Sequence, residues 1–157
     1  MAQRFWLVKS EPDVYSIDDL ARDKTTAWTG VRNFKARNFM REMAVGDGLV
    51  YYHSNGDPSG AAGLAKVTKA AFPDATQYDR KSDYYEPKAT PEQPYWYNVE
   101  VGFVRKFAHF IPLEELKDAS GPGGPIAGIL LTSGKASRLS VQPVSKEHYD
   151  ALAKMGR

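Results

Sequence analysis

Apolar positions in this chain arrive mostly in short runs, and the period changes from run to run. Residues 4–10, RFWLVKS, are nearly unbroken through Phe5, Trp6, Leu7 and Val8 and predict a first strand. Glu11-Pro12 ends it, because proline lacks the ladder donor and constrains the residue before it. In SIDDLARD, Ser16 is a helix N-cap with Asp19 three residues on, and aspartates in the first turn complement the dipole, so a short helix is expected. Asn33 caps the next helix, predicted over residues 34–44, where Ala36, Phe39, Met40 and Met43 share one face. Gly46-Asp47-Gly48 stops that helix and leads into LVYYHSN, a strand by its aromatic and branched content.

The second half reads less evenly. Residues 60–72, GAAGLAKVTKAAF, give a weaker strand whose small residues predict a bulge or a close backbone approach. Residues 73–94 are polar and rich in proline and acid, the mark of a long surface excursion. The longest strand signal covers residues 95–107, where Trp96, Asn98, Glu100 and Gly102 alternate with Tyr97, Val99, Val101 and Phe103. PLEELKDA begins with proline at a helix start, SGPGGPIAG is a loop, and ILLTSG is another helical turn. SRLSVQPV predicts a late strand ended by Pro143. Ser145 then caps a final helix with Glu147 in its first turn and Tyr149, Leu152 and Met155 on its core-facing stripe.

Strands dominate, with short helices between them and no regular alternation of strand with long helix. That argues for an α+β fold or a small barrel with helical decoration, and against a doubly wound nucleotide fold. No repeat or linker divides the chain, so a single domain over residues 1–157 is expected.

Composition narrows the chemistry. The chain has no cysteine, which excludes a disulfide framework, a cysteine-based zinc site and a thiol nucleophile, and fits a reducing cytosol. No apolar stretch has the length of a signal peptide or a spanning helix, so a cytoplasmic location away from membranes is expected. The net charge is only +2, but it is unevenly spread. Glu11, Asp13, Asp18, Asp19 and Asp23 are opposed only by Arg22, whereas from Lys24 to Arg41 every charge is positive. The basic segment reads either as a polyanion surface or as a solvated helix face balanced by the acidic one.

The usual catalytic and cofactor signatures are missing. Neither GxGxxG nor GxxxxGK[ST] occurs, so no phosphate-cradling loop or cofactor is expected. His53, His109 and His148 lack metal-ligand spacing, which leaves no metal site in view. His53 and Ser54 are adjacent on a predicted strand and point to opposite faces, which is the wrong geometry for a nucleophile and its base. Catalysis is the minority reading.

Four stretches combine aromatic or aliphatic residues with Ser, Asn, Lys, Arg or His: WLVKSEP, WTGVRNFKARN, YYHSN and RLSVQPV. Three of them sit at or near a predicted strand end. If those ends converge, they form a pocket with aromatic walls and several donors and acceptors, suited to a flat polar heterocycle. Trp6 and Trp96 read as core, and Trp28 as part of a site. Arg32 and Arg138 read equally as structural ion pairs with Glu11 or Asp13. Asn33 is also a helix cap, and His53 reads equally as a structural histidine.

These motifs, in this order over essentially the whole chain, resemble the EVE domain family: WLVKSEPDVYSIDDL, WTGVRNFKARNFMREMAVGD, VYYHSN, a central PD before YYEPK, then RLSVQPVS. The resemblance implies a PUA-like fold, a mixed β pseudo-barrel with short peripheral helices. It also implies kinship with YTH reader domains and recognition of a modified base, chiefly modified cytosine in DNA. Carried over residue by residue, it implies a base-binding pocket of Lys9, Ser10, Glu11, Trp28, Arg32, Asn33, His53, Ser54, Asn55, Arg138, Leu139 and Ser140. Trp28 would stack on the base, and Lys35, Arg37 and Arg41 would contact phosphates outside the pocket. Phe34 departs from the family, where tyrosine is common. The alternatives are an RNA-binding PUA-like module, and a small-molecule receptor or enzyme acting on a free nucleoside.

Overall fold

A computed structural model describes residues 2–157. Six strands, β1 (Phe5–Ser10), β2 (Thr25–Ala27), β3 (Gly48–His53), β4 (Gly60–Pro73), β5 (Tyr97–Pro112) and β6 (Val141–Val144), form one sheet in the order β2-β5-β4-β3-β1-β6. Only β1 and β3 run parallel; every other pair is antiparallel. A parallel pair needs a crossover. Here it carries α1 (Ile17–Asp23), β2 and α2 (Phe34–Glu42), and so delivers β2 to the far edge of the sheet. Two further helices, α3 (Leu113–Ala119) and α4 (Lys146–Met155), follow β5 and β6.

Both faces of the central strands are buried, which is why RFWLVKS reads as an unbroken apolar run. Trp6, Val8, Leu49 and Tyr51 face a core shared with Ile17, Leu20 and Met40. Phe5, Leu7, Val50 and Tyr52 face a second core with Phe107, Ile111, Leu116 and Leu152. The edge strands β2 and β6 do not pair with each other. Instead α2 packs against β4, β5 and the edge strand β6, with Ala36 and Met40 fully buried. The fold is therefore α+β, a mixed six-stranded sheet with α1 and α2 packed on one core and α3 and α4 on the other.

Local chemistry accounts for most boundaries. Ser16 and Asp19 form a full capping box on α1, and Asn33 Oδ1 accepts the Ala36 N–H at 2.9 Å to cap α2. The small residues of β4 serve a close approach: a Cβ on Gly60 or Gly63 would fall 2.2 or 2.4 Å from a β5 carbonyl oxygen, and the β4–β5 register shifts repeatedly.

Four boundaries differ from expectation. α2 stops at Glu42 rather than residue 44, because Asp47 captures the chain there: its Oδ2 accepts the Ala44 N–H and the Trp6 Nε1–H, both at 3.0 Å. β5 runs on to Pro112, which precedes α3 as its N-cap. Residues 134–138 form a 3-10 turn, so β6 begins only at Val141. Pro143 lies within β6 rather than ending it, which an edge strand accommodates. Among the described residues no helix is long and apolar enough to cross a membrane.

Candidate functional site

β1 and β3 finish side by side, and β6 begins beside them. Between these ends and the segment after β2 lies an open cleft of about 740 Å³. Lys9, Ser10, Glu11, Trp28, Arg32, Ser54, Asn55, Arg138 and Ser140 all line it.

Trp28 is held before any ligand arrives. Its N–H donates to Val99 at 2.8 Å, and its ring meets Tyr51 edge to face, with centroids 5.4 Å apart. Tyr51 is fixed in turn by donating its hydroxyl to the Tyr15 carbonyl at 2.6 Å. Only 7% of Trp28 remains exposed, so it offers the cleft a rim rather than a free face.

A second aromatic, Tyr84, lines the cleft from the long excursion. Asp74, fully buried, brings it there. The Asp74 carboxylate accepts from the Gly30 N–H at 2.9 Å, the Thr76 N–H at 2.9 Å and hydroxyl at 2.6 Å, and Arg32 Nη1 at 3.2 Å. Burial alone would raise its pKa, but the hydrogen bonds from Thr76 and Gly30, with that from Arg32, hold the carboxyl below its ordinary value. Arg32 also donates to the Tyr84 carbonyl at 2.9 Å and to the Thr76 hydroxyl at 3.0 Å. The Tyr84 ring lies over Gly30, whose φ of +82° suits glycine, and a Cβ there would come within 2.8 Å of Tyr84 Cζ. Fully buried Gln77 completes the anchor. Its amide donates to the Asp74 and Trp96 carbonyls and accepts from the Tyr95 and Trp96 N–H groups.

The rest of the rim is polar. Asn55 sits at φ +53° and donates Nδ2 to Glu11 Oε1 at 2.9 Å, and the Ser54 N–H donates to the Ser10 carbonyl at 3.0 Å. Lys9 is already engaged. It donates Nζ to the Ser137 carbonyl, lies 5.5 Å from the Tyr52 ring centroid, and has its pKa lowered by burial. Arg138 is exposed and makes no ion pair among the described residues.

Three residues expected in the pocket do not line the cleft. Asn33 is the cap of α2. Leu139 belongs to the turn before β6. His53 points into the structure, where Nε2 accepts the Ile17 N–H at 3.1 Å between Tyr51 and Phe110. Burial lowers its pKa, and the neutral ring that accepts at Nε2 carries its proton on Nδ1. Arg32 pairs with Asp74 rather than with Glu11 or Asp13. Its partner lies 42 residues along the chain, beyond the reach of local pattern. Sequence reasoning gave Tyr84 and Tyr15 no place in the pocket, although both lie within motifs that carry the family resemblance, YYEPK and WLVKSEPDVYSIDDL.

The cations expected at phosphates lie outside the cleft on α2. Lys35 is exposed. Arg37 donates to the Tyr95 carbonyl at 2.7 Å, and Arg41 covers the Tyr97 ring at 4.5 Å. No group of three His, Asp or Glu side chains among the described residues is placed to hold a metal ion.

Comparison with known proteins bears on the family and the fold. Residues 4–155 match the EVE domain. The chain is 41% identical over 160 residues to human thymocyte nuclear protein 1, covering 92% of this chain and 70% of that protein. Its structure superposes with a TM-score of 0.91 on the human THYN1 protein in complex with 5-methylcytosine containing DNA, at 39% identity over 99% of this chain and 98% of that one. A hypothetical protein from Leishmania major superposes at a TM-score of 0.90, with 44% identity over 99% of this chain and 95% of that one. The ordered motifs, the mixed sheet and the similarity along nearly the whole length converge, and the chain belongs to the EVE domain family.

Proposed function

We propose that this chain is a non-catalytic module that binds nucleic acid by taking one modified base, foremost a modified cytosine in DNA, out of its stack and into the cleft. The observation that carries this reading is the cleft itself: two aromatics from distant segments, Trp28 and Tyr84, beside the polar rim of Ser10, Glu11, Ser54 and Asn55. A flat heterocycle takes its contact area from Tyr84 and the exposed edge of Trp28, and its identity from the polar groups. The complex of the human THYN1 protein with 5-methylcytosine containing DNA supports the choice of ligand.

Flipping a base costs a few kcal/mol, and stacking on one aromatic returns about 1–3 kcal/mol. Edge hydrogen bonds and phosphate contacts supply the remainder, so binding weakens with salt. Glu11 is the one carboxylate on the cleft lining. One of its oxygens accepts from Asn55, which leaves acceptor capacity for an exocyclic amine such as cytosine N4. The serines of the lining have no histidine among their lining neighbours, so the lining does not present the hydroxyl–imidazole pair of a serine nucleophile.

Fluorescence anisotropy with matched DNA duplexes carrying cytosine or 5-methylcytosine, and with RNA carrying the same bases, tests the reading. Tighter binding to the modified DNA is expected. Tighter binding to the RNA reverses the ligand class. Turnover of free nucleosides, followed by mass spectrometry, replaces the reader with an enzyme.

A further inference from the structure

Outside the cleft, the ring of Phe34 lies open to solvent. Phe34, the first residue of α2, is 54% exposed. It is not a loose side chain. Its ring stacks on Trp96 with centroids 4.8 Å apart and planes 22° from parallel, and Trp96 is itself buried. Arg37 Cζ stands 4.8 Å from the Phe34 centroid and 5.9 Å from that of Trp96. A guanidinium squarely on the outer face of Phe34 would lie almost twice as far from Trp96 as Phe34 does, so Arg37 stands to the side of the pair, and Phe34 keeps 54% of its surface exposed. Bonds to the Tyr95 carbonyl and Asn38 Oδ1 hold Arg37 in place.

This rigid ring is continuous with the cleft. Arg32, on the cleft lining, places its guanidinium 5.2 Å from the Tyr84 centroid and 5.3 Å from that of Trp96, so aromatics and cations alternate from the cleft wall out to Phe34. The surrounding charge is complementary to phosphate. The first turn of α2 has no acidic residue, although acids are favoured there, and carries Lys35 and Arg37 instead. Like charge at the positive end of a helix is unfavourable in the free protein and becomes favourable beside a polyanion.

We infer that Phe34 is a second stacking platform, which takes the base adjacent in the strand to the one held in the cleft, while Lys35 and Arg41 neutralise the intervening phosphates. The inference rests on the proposed binding of nucleic acid. It implies that affinity is divided between a cleft that selects the modified base and a shelf that accepts any neighbouring base, because every base presents a π face.

The test uses oligonucleotides with 5-methylcytosine or cytosine at the central position and the fluorescent base 2-aminopurine on either side. They are titrated with the wild type and with Phe34→Leu and Phe34→Tyr. Leucine keeps apolar cover on Trp96 and removes the π face; tyrosine retains it. The wild type is expected to quench 2-aminopurine on one side only. Phe34→Leu should lose the quench and bind about tenfold more weakly, the loss of one base stack, with the ratio of modified to unmodified affinity unchanged. Phe34→Tyr should restore both. Wild-type quenching and affinity in Phe34→Leu overturn the inference. So does self-association, measured by sedimentation, that Phe34→Leu abolishes while affinity for the oligonucleotide stays the same. Quenching without any preference for the modified base retains the shelf and refutes the cleft reading instead.

Discussion

Gly30 joins two requirements that no other residue meets together. Its φ of +82° places it where a side chain is strained, and the Tyr84 ring occupies the space a Cβ would need. Gly30→Ala should therefore destabilise the fold by about 1–3 kcal/mol and displace Tyr84 from the cleft. Thermal melts read the first effect and the affinity for modified DNA the second; an alanine variant with wild-type values for both would show that Tyr84 is not set by this contact. Glu11 carries a separate prediction. 5-Methylcytosine and thymine share the methyl group and differ at position 4, where one has a donor and the other an acceptor. Glu11→Gln keeps an acceptor for Asn55 and adds a donor toward the ligand. The preference for 5-methylcytosine over thymine should fall, by up to about 1–3 kcal/mol, and equal discrimination in both proteins would remove Glu11 from base reading. At this scale the sequence was informative about residue types but less so about partners. The motifs brought out Trp28, Ser10 and Asn55, which do line the cleft. They could not separate Asn33 and His53, whose polar groups are taken up locally by the Ala36 and Ile17 N–H groups.

Among the elements, those defined by their own composition were legible and those defined by a partner were not. Five of the strands have local signals of apolar content. β2, the three residues Thr25–Ala27, is largely exposed and is a strand only because Glu100, Val101 and Gly102 lie opposite. The excursion likewise looks free until Asp74 finds Gly30 and Arg32, 44 and 42 residues away. Asp74→Asn removes the charge facing Arg32 and should cost about 3 kcal/mol, as expected when a buried pair loses one member. It should also open the excursion to trypsin at Arg80 and Lys81; an unchanged cleavage rate would show that the excursion is anchored elsewhere. The contact between α1 and β3 predicts a pH dependence. The folded pKa of His53 lies below its ordinary 6.5 because burial disfavours the imidazolium. The unfolded chain thus takes up the proton first, so this stability is fully present above about pH 6.5 and declines as pH falls toward the folded value. Melting temperature should drop over that interval in the wild type and less in His53→Gln, which keeps an acceptor that does not titrate. Equal slopes would contradict the assignment.

The whole molecule was easier to read than its parts, because the excess of strand signals over helix signals and their irregular order both survive local errors. An α+β sheet with short helices follows from that order even with β2 missing and β6 starting late. The strand order was not visible in the sequence, since it depends on the crossover that carries β2 to the far edge of the sheet. Charge acts at the same scale. With Lys35 and Arg41 of α2 exposed outside the cleft, affinity for DNA should fall as salt rises, and Lys35→Gln should reduce the slope of log K against log salt by about 1 without changing the preference for the modified base. An unchanged slope would move the phosphate path elsewhere. The most direct test of the account is the affinity of the wild type and of Trp28→Leu for two duplexes that differ only in one cytosine methyl group, with thermal melts to establish that the variant is folded. The account predicts that the wild type prefers the methylated duplex and that the folded variant has lost this preference while keeping salt-sensitive binding to both. Equal binding of the two duplexes by the wild type, or an undiminished preference in the variant, would contradict it.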